Sequence, residues 1–302
     1  MSAAPSIDPP ARTPRLWRCG PHAIDLSTPS LMGIVNVTPD SFSDHGAHFD
    51  PAVALDHARQ LIADGADILD IGGESTRPGA PAVALDEELR RVIPLIEGVR
   101  DSGVPISIDT SKPAVMQAAL AAGACIVNDV WALRQPGAEE VVAASDCGVV
   151  LMHMQGTPRT MQSAPQYADV VAEVGEFLAQ RRDALRARGV AADRLALAPG
   201  FGFATTSGHN CPLLPRLRGL TSLGPVVAGL SRKSMLGHAT GRAVTERVVA
   251  SAAAALVAVQ HGATVLRVHD VAATRDALAV LREVQAASQV RTQREHTSKQ
   301  PG

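Results

Sequence analysis

The chain has 302 residues, 19% charged and 46% hydrophobic, with a formal net charge of -2. That is the profile of a globular protein, with length for two average domains or one large α/β barrel. A charge so near balance gives no basis for a nucleic-acid or anionic-membrane partner. The four cysteines, Cys19, Cys125, Cys147 and Cys211, form no close-spaced metal pattern and fit a reduced, cytoplasmic setting. Residues 1–15 are rich in Pro, Ala and Ser and lack the apolar segment of a secretory signal. The most apolar run, 248–259, is shorter than the ~18 residues of a membrane span and reads as a buried helix.

After an N-terminal arm over 1–30, residues 31–36 read as a strand ending in Asn36, with helical periodicity following over 51–65. The next run, 67–72, is apolar enough for a strand buried on both faces. At its end Gly72-Gly73 gives way to Glu74-Ser75-Thr76-Arg77 and the turn Pro78-Gly79. Polar groups crowded against the end of a buried strand serve packing poorly and favour a functional loop over a solvated turn. A helix is expected over 86–101. The alternation continues with strands 105–109, 125–129, 147–153, 194–198, 225–229 and 264–269. Helices are expected near 112–122, from about 137, over 169–188 and over 272–287. Beyond Ser288 the composition is that of a polar, disordered tail, 288–302.

Eight strand-like runs, each trailed by helix, require a parallel sheet with helical crossovers. Eight units without a dinucleotide-type glycine fingerprint favour a closed (β/α)8 TIM barrel, a single α/β domain over 31–287. Asn36, Asp70, Asp109, Asn128, His153 and Arg267 lie at or near the carboxyl ends of their runs, the end at which barrel active sites form. Any one alone is more simply a helix cap; six at equivalent places argue for a site. Arg267 and His269, two apart and so expected on one face, suit a phosphate together with Asn36 and loop N–H groups. A salt bridge from Arg267 to a barrel acid such as Asp70 is the alternative, ranked second. Asp109 and Asn128, a carboxylate beside an amide, suit an aminated heteroaromatic ring. Lys233 is either a donor to the same ring or a surface lysine at a helix start.

The string Met32-Gly33-Ile34-Val35-Asn36-Val37-Thr38-Pro39-Asp40-Ser41-Phe42-Ser43-Asp44 resembles the first signature of the dihydropteroate synthases. Asp70-Ile71-Gly72-Gly73-Glu74-Ser75-Thr76-Arg77-Pro78-Gly79-Ala80 resembles the second. Ser107-Ile108-Asp109-Thr110, Asn128-Asp129-Val130, the string from Met152 to Pro158, Ser231-Arg232-Lys233-Ser234 and Arg267-Val268-His269-Asp270-Val271 extend the match in the family's order across the expected barrel. The resemblance implies a TIM barrel, usually a homodimer, that condenses 6-hydroxymethyl-7,8-dihydropterin pyrophosphate with p-aminobenzoate. The products are 7,8-dihydropteroate and pyrophosphate, in a folate-producing step that sulfonamides target. It further implies Mg²⁺ and pyrophosphate at Asn36, with Arg267 and His269 on the pyrophosphate, and the pterin on Asp109, Asn128 and Lys233. Thr76, Arg77, Pro78, Phe203 and Ser231 would form the aminobenzoate side.

One stretch departs from the family pattern. Where the family has Asp-Pro-Gly-Phe-Gly-Phe-Gly-Lys, this chain reads Ala198-Pro199-Gly200-Phe201-Gly202-Phe203-Ala204-Thr205. Ala198 therefore stands in place of a carboxylate that the resemblance assigns to the pterin edge. That leaves a second reading open, a weakly active or non-catalytic paralogue that binds pterin or phosphate. A pterin-dependent methyltransferase module, the third, expects a corrinoid module for which the chain has no room.

Overall fold

The computed structural model describes residues 16–38, 51–75, 80–156, 167–203, 210 and 212–297, with side chains as far as 287. A short antiparallel hairpin comes first, β1 (Leu16–Cys19) and β2 (His22–Asp25). The repeating part follows as β3 (Ser30–Asn36), α1 (Pro51–Ala63), β4 (Ile68–Gly72), α2 (Leu85–Val99), β5 (Ile106–Asp109), α3 (Pro113–Ala122), β6 (Ile126–Asp129), α4 (Ala138–Ala143), β7 (Gly148–Met152), α5 (Val170–Ala187) and β8 (Leu195–Ala198). Next are β9 (Val227–Ala228), α6 (Ser234–Thr240), α7 (Val248–Gln260), β10 (Val265–Val268) and α8 (Val271–Thr297). The last helix thus continues through the segment that composition assigns to a polar tail, as far as Thr297.

The strands form one parallel sheet in the order β8-β7-β6-β5-β4-β3-β10-β9. A parallel bridge between Leu197 and Val226, with Leu197 N–H donating to the Pro225 carbonyl at 2.8 Å, joins the two ends and closes the barrel. Sequence accounts for the elements locally. The α2 residues Glu88, Val92, Leu95, Ile96 and Val99 recur on one face at helical spacing and are buried, while Asp86, Glu87 and Glu88 in the first turn complement its dipole. Pro113 opens α3 at its first turn, and Asp169 caps α5 by accepting from the Val171 and Ala172 amides at 2.9 and 3.2 Å.

Strand alternation sorts the core into two shells. Leu69 and Ile71, Val149 and Leu151, and Leu195 and Leu197 pack outward against the helices. Ile68, Ile126, Val150, Met152, Ala196, Ala198 and Val265 fill the barrel interior. The hairpin seals the amino-terminal end. Trp17 is fully buried among the interior residues, and its indole N–H donates to the Arg194 carbonyl at 2.9 Å. Among the described residues no helix is long and apolar enough to cross a membrane.

Because Trp17 fills the barrel floor, Trp17→Ala is expected to cost about 3–5 kcal/mol of stability through the cavity left behind. The measurement is a urea titration. A loss under about 1 kcal/mol would show that the hairpin is an accessory to the barrel and not part of its core.

Candidate functional site

The alternation that builds the interior also builds the site. Interior positions occupied by Ile68, Ile126 and Val265 at the bottom are occupied two residues later by Asp70, Asn128 and Arg267. Register places Gly72 beside Asp109 and Asp109 beside Asn128, so the side chains on β4, β5 and β6 converge. Asp70, Asp109 and Asn128 are 0%, 5% and 5% exposed. Two carboxylates at that depth need compensation, and Arg267 provides it from β10, on the far side of β3. Its Nε donates to Asp70 at 2.5 Å and its Nη2 to Asp109 at 2.6 Å. The salt bridge to a barrel acid, ranked below anion binding on sequence grounds, is therefore present, and it is made to two acids. It uses two of the five guanidinium N–H donors and leaves the others available.

Asp70 is well supplied, since the Asn128 amide also donates to its two oxygens at 3.3 and 3.2 Å. Asp109 is not. Its Oδ1 is buried and accepts no hydrogen bond among the described residues. Burial pushes the Asp109 carboxyl up to about 7; Arg267 pulls it down, and Asp70, Asp129 and Glu88 add to the rise. An unsatisfied buried acceptor of this kind is a place for a ligand N–H.

Asp109 lies in the wall of a pocket of about 430 Å³, counting the open space at its mouth. Asn128, Lys233 and Arg267 complete its polar part, and Val130, Val150, Met152, Ala198, Phe201, Phe203 and Val227 supply its apolar part. The pocket thus brings together Asp109, Asn128, Phe203, Lys233 and Arg267. Ala198 sits in the same wall, 7% exposed, and presents a methyl group. Lys233 is partly exposed along its stem, but its ammonium reaches inward to the Phe201 carbonyl and lies 4.6 Å from the Phe203 ring centre. Burial lowers it to about 7, with Arg267 lowering it further and Asp109 opposing.

Other expected residues lie elsewhere. His269 follows β10 instead of continuing the face of Arg267; its Nδ1 is 3.0 Å from the Ser231 Oγ, and its amide donates to the same oxygen at 3.2 Å. Asn36 ends β3, half-buried, and does not line the pocket. Thr76, Arg77 and Pro78, like Ala204 and Thr205, lie outside the described residues. His153 does not join the others at the mouth. One residue past the inward-facing Met152, its ring packs edge-on against Phe177, 5.1 Å between centres, and burial with the nearby Arg134 lowers it to about 4. It is a neutral packed histidine.

Glu74, read from sequence with the functional string, is engaged structurally. Lys112 donates to Glu74 and to the fully buried Glu88 (2.5 Å), and the Thr110 hydroxyl donates to Glu88 at 2.6 Å. The loop after β4 is thereby tied to the end of β5. Sequence reasoning missed Lys112 and Glu88; a charged residue on the apolar face of α2 was the available signal. Among the described residues no group of three or more His, Cys, Asp or Glu side chains could hold a metal ion.

The chain matches a family model described as pterin binding enzyme over residues 32–269. Among curated proteins it is 51% identical over 274 residues to a dihydropteroate synthase of Neisseria meningitidis, covering 88% of this chain and 96% of that one. It is 46% identical over 269 residues to that of Escherichia coli, covering 88% and 95%. Among solved structures, Xanthomonas albilineans dihydropteroate synthase with 4-aminobenzoic acid superposes with a TM-score of 0.85 at 53% identity, covering 90% of this chain and 98% of that one. Burkholderia cenocepacia dihydropteroate synthase with 7,8-dihydropteroate gives 0.85 at 51% identity, covering 92% and 99%.

The buried trio is testable without any ligand. Arg267→Ala strands two buried carboxylates, at an expected cost of about 3–5 kcal/mol at neutral pH. Asp109 already sits above its unfolded value of about 3.9 and loses the guanidinium that pulls it down, so in the variant the folded state holds its extra proton to higher pH and stability falls further as pH rises. The deficit against the parent should therefore be larger at pH 8 than at pH 5 in denaturant titrations. A deficit independent of pH would mean that packing, not charge, is what Arg267 contributes.

Proposed function

Since the chain belongs to the dihydropteroate synthases, a group of transferases within the pterin-binding enzymes, we propose that its pocket binds 6-hydroxymethyl-7,8-dihydropterin pyrophosphate and that it condenses this with p-aminobenzoate to give 7,8-dihydropteroate and pyrophosphate. The observation that carries the reading is the unsatisfied Oδ1 of Asp109, buried in a pocket wall beside Asn128 and Lys233. A flat aminated ring supplies the N–H donor that this oxygen lacks, and the apolar wall takes its faces. The relatives named above are synthases and lend no support to a non-catalytic reading.

In the reaction the methylene C–O bond breaks and its electron pair leaves with the pyrophosphate. The aniline nitrogen then forms the new C–N bond and loses a proton. Charge builds on the departing group, so donors placed there accelerate the step. The unused guanidinium N–H groups of Arg267 serve that role, with His269 and Asn36 on the same leaving group. Asp109, Asn128 and Lys233 hold the pterin, and Phe203 and Ser231 take the aminobenzoate side, to which the family resemblance adds Thr76, Arg77 and Pro78. A hard oxygen donor such as the Asn36 amide fits Mg²⁺ and would hold it. When bound, the metal supplies neutralisation of the leaving group's charge. Buried thiols in Cys19, Cys125 and Cys147 suit a reducing, cytoplasmic setting.

Steady-state release of pyrophosphate from the two substrates, with and without Mg²⁺, tests the reading. Release that requires both substrates and the metal is expected; no release above background at any concentration would sink it. Arg267→Lys should recover little activity, because an ammonium lacks the guanidinium fork.

The methyl of Ala198 faces the pterin where the family pattern has a carboxylate. Ala198→Asp should tighten pterin binding by about 1–3 kcal/mol, the worth of a hydrogen bond to a charged group. The gain should appear in KM more than in kcat, as for a contact made equally in ground and transition states. Unchanged or weaker affinity in a folded variant would mean that the ring does not reach β8.

The chain is further proposed to be a homodimer. Helix α7 buries Ser251, Ala252, Ala254, Ala255 and Ala258 and leaves Val249 81% exposed; Val280 and Val284 on the adjoining α8 are 65% and 59% exposed. An apolar face of this kind marks an association surface. Light scattering at micromolar concentration should return twice the chain mass of 31.4 kDa, and a value at the chain mass would refute the dimer.

A further inference from the structure

In the loop that carries Lys233, beside the one that carries His269, lies a backbone position under strain. Arg232 has φ +59, one of three non-glycine residues with positive φ among those described. Side chains with a Cβ rarely adopt this region, and such a residue persists when its surroundings over-determine it. Here the backbone N–H, the carbonyl and one edge of the guanidinium are all held. Its N–H donates to the Ser251 Oγ at 2.9 Å, and its carbonyl accepts from Arg247 Nη1 at 2.9 Å. Its guanidinium grips both oxygens of Asp270 with one edge, Nε to Oδ2 at 3.0 Å and Nη2 to Oδ1 at 2.5 Å. Arg247 also reaches the Lys233 carbonyl at 3.3 Å, and the Ser251 hydroxyl donates to the Arg247 carbonyl at 2.6 Å.

None of Arg247, Ser251 and Asp270 lines the pocket. What they hold is the residue at which the chain divides its neighbours. Ser231, before it, turns to His269, whereas Lys233, after it, turns inward to the Phe201 carbonyl. With Arg232 in the ordinary helical or extended region the flanking peptide planes rotate, and the two side chains no longer diverge in this way. We infer that Arg247, Ser251 and Asp270 are positioning residues, which act by holding Arg232 in its left-handed turn and so aim Lys233 into the pocket and Ser231 at His269. The consequence for catalysis rests on the function proposed above; the geometry does not.

The test uses Ser251→Ala, which removes the acceptor for the Arg232 amide, and Asp270→Asn, which removes the charge under its fork. Each is made in the parent and in Lys233→Met, in the full chain. Two quantities are read. One is the titration midpoint of the Lys233 ammonium, by NMR of isotope-labelled lysine. The other is the Kd of the dihydropterin pyrophosphate, by calorimetry. In the parent, burial holds Lys233 near 7, with Arg267 lowering it and Asp109 raising it. In both variants the midpoint should climb toward the ordinary value of about 10.4 as the ammonium leaves its buried place. The Kd should weaken about three- to tenfold, as for a lost hydrogen bond, and that weakening should vanish in the Lys233→Met background. An unmoved Lys233 midpoint overturns the inference, as does a midpoint that moves with no change in Kd. A Kd loss of equal size with and without Lys233 also overturns it, because the effect then bypasses that residue. If the parent binds no pterin while the midpoint still moves, the proposed function fails and the positioning role stands.

Discussion

The structure depends on one guanidinium set between two carboxylates at the top of a closed barrel. Asp70 is fully buried and Asp109 nearly so, and Arg267 bridges them from a strand on the far side of β3. Such an arrangement is costly to desolvate and adds little net stability compared with an apolar core. Its value is geometric. With Asn128 and Arg267 donating to Asp70, that acid is well supplied, and the buried acceptor of the cluster left without a partner among the described residues is Asp109 Oδ1. Of the buried polar atoms without a partner among the described residues, this is the one whose residue lines the pocket.

Around it the pocket divides by strand. Its polar side comes from β5, β6 and β10, and its apolar side from β7, β8 and β9, where Val150, Met152, Ala198 and Val227 line the wall. A planar ring with hydrogen-bonding groups on one edge matches this division. Lys233 lies between the two sides, against Phe203, and its ammonium is depressed first by burial and then by the nearby Arg267. A carboxylate at position 198 would have balanced that charge. Its replacement by a methyl makes the wall more uniformly apolar and leaves Lys233 to a backbone carbonyl. In the proposed reading the change bears on ring recognition and leaves the residues proposed for the pyrophosphate untouched.

Below the site the barrel is closed by material that has no part in the chemistry. Trp17 plugs the floor and binds the Arg194 carbonyl, while Arg194 donates to the carbonyls of Cys147 and Val142, both at 2.8 Å. The thiols beside it are buried packing groups, and burial raises Cys125 to about 11 and pushes Cys19 and Cys147 up as well. A rigid floor matters for function because sub-ångström placement of the groups at the other end depends on strands that do not shift.

The sequence by itself determined the repeating strand and helix units, the parallel sheet they require, and the positions at strand ends where polar residues fall. These follow from local rules: a period of two along each strand, helix caps such as Asp169, and Pro113 at a helix start. The same period put Asp70, Asp109, Asn128 and Arg267 on the inward face. What sequence could not determine is which of those groups touch. Arg267 lies far along the chain from Asp70, and only closure of the barrel makes the two neighbours. His153 shows the converse, a residue at the right place in its run but on the wrong side of the strand, so that it packs into aromatic rings. Glu74 was legible as polar and unusual, yet its engagement by Lys112 arises only when the loop after β4 meets the start of α3. Pairing across the sheet and between layers is a property of the closed fold, because it depends on separations in space that no local pattern encodes.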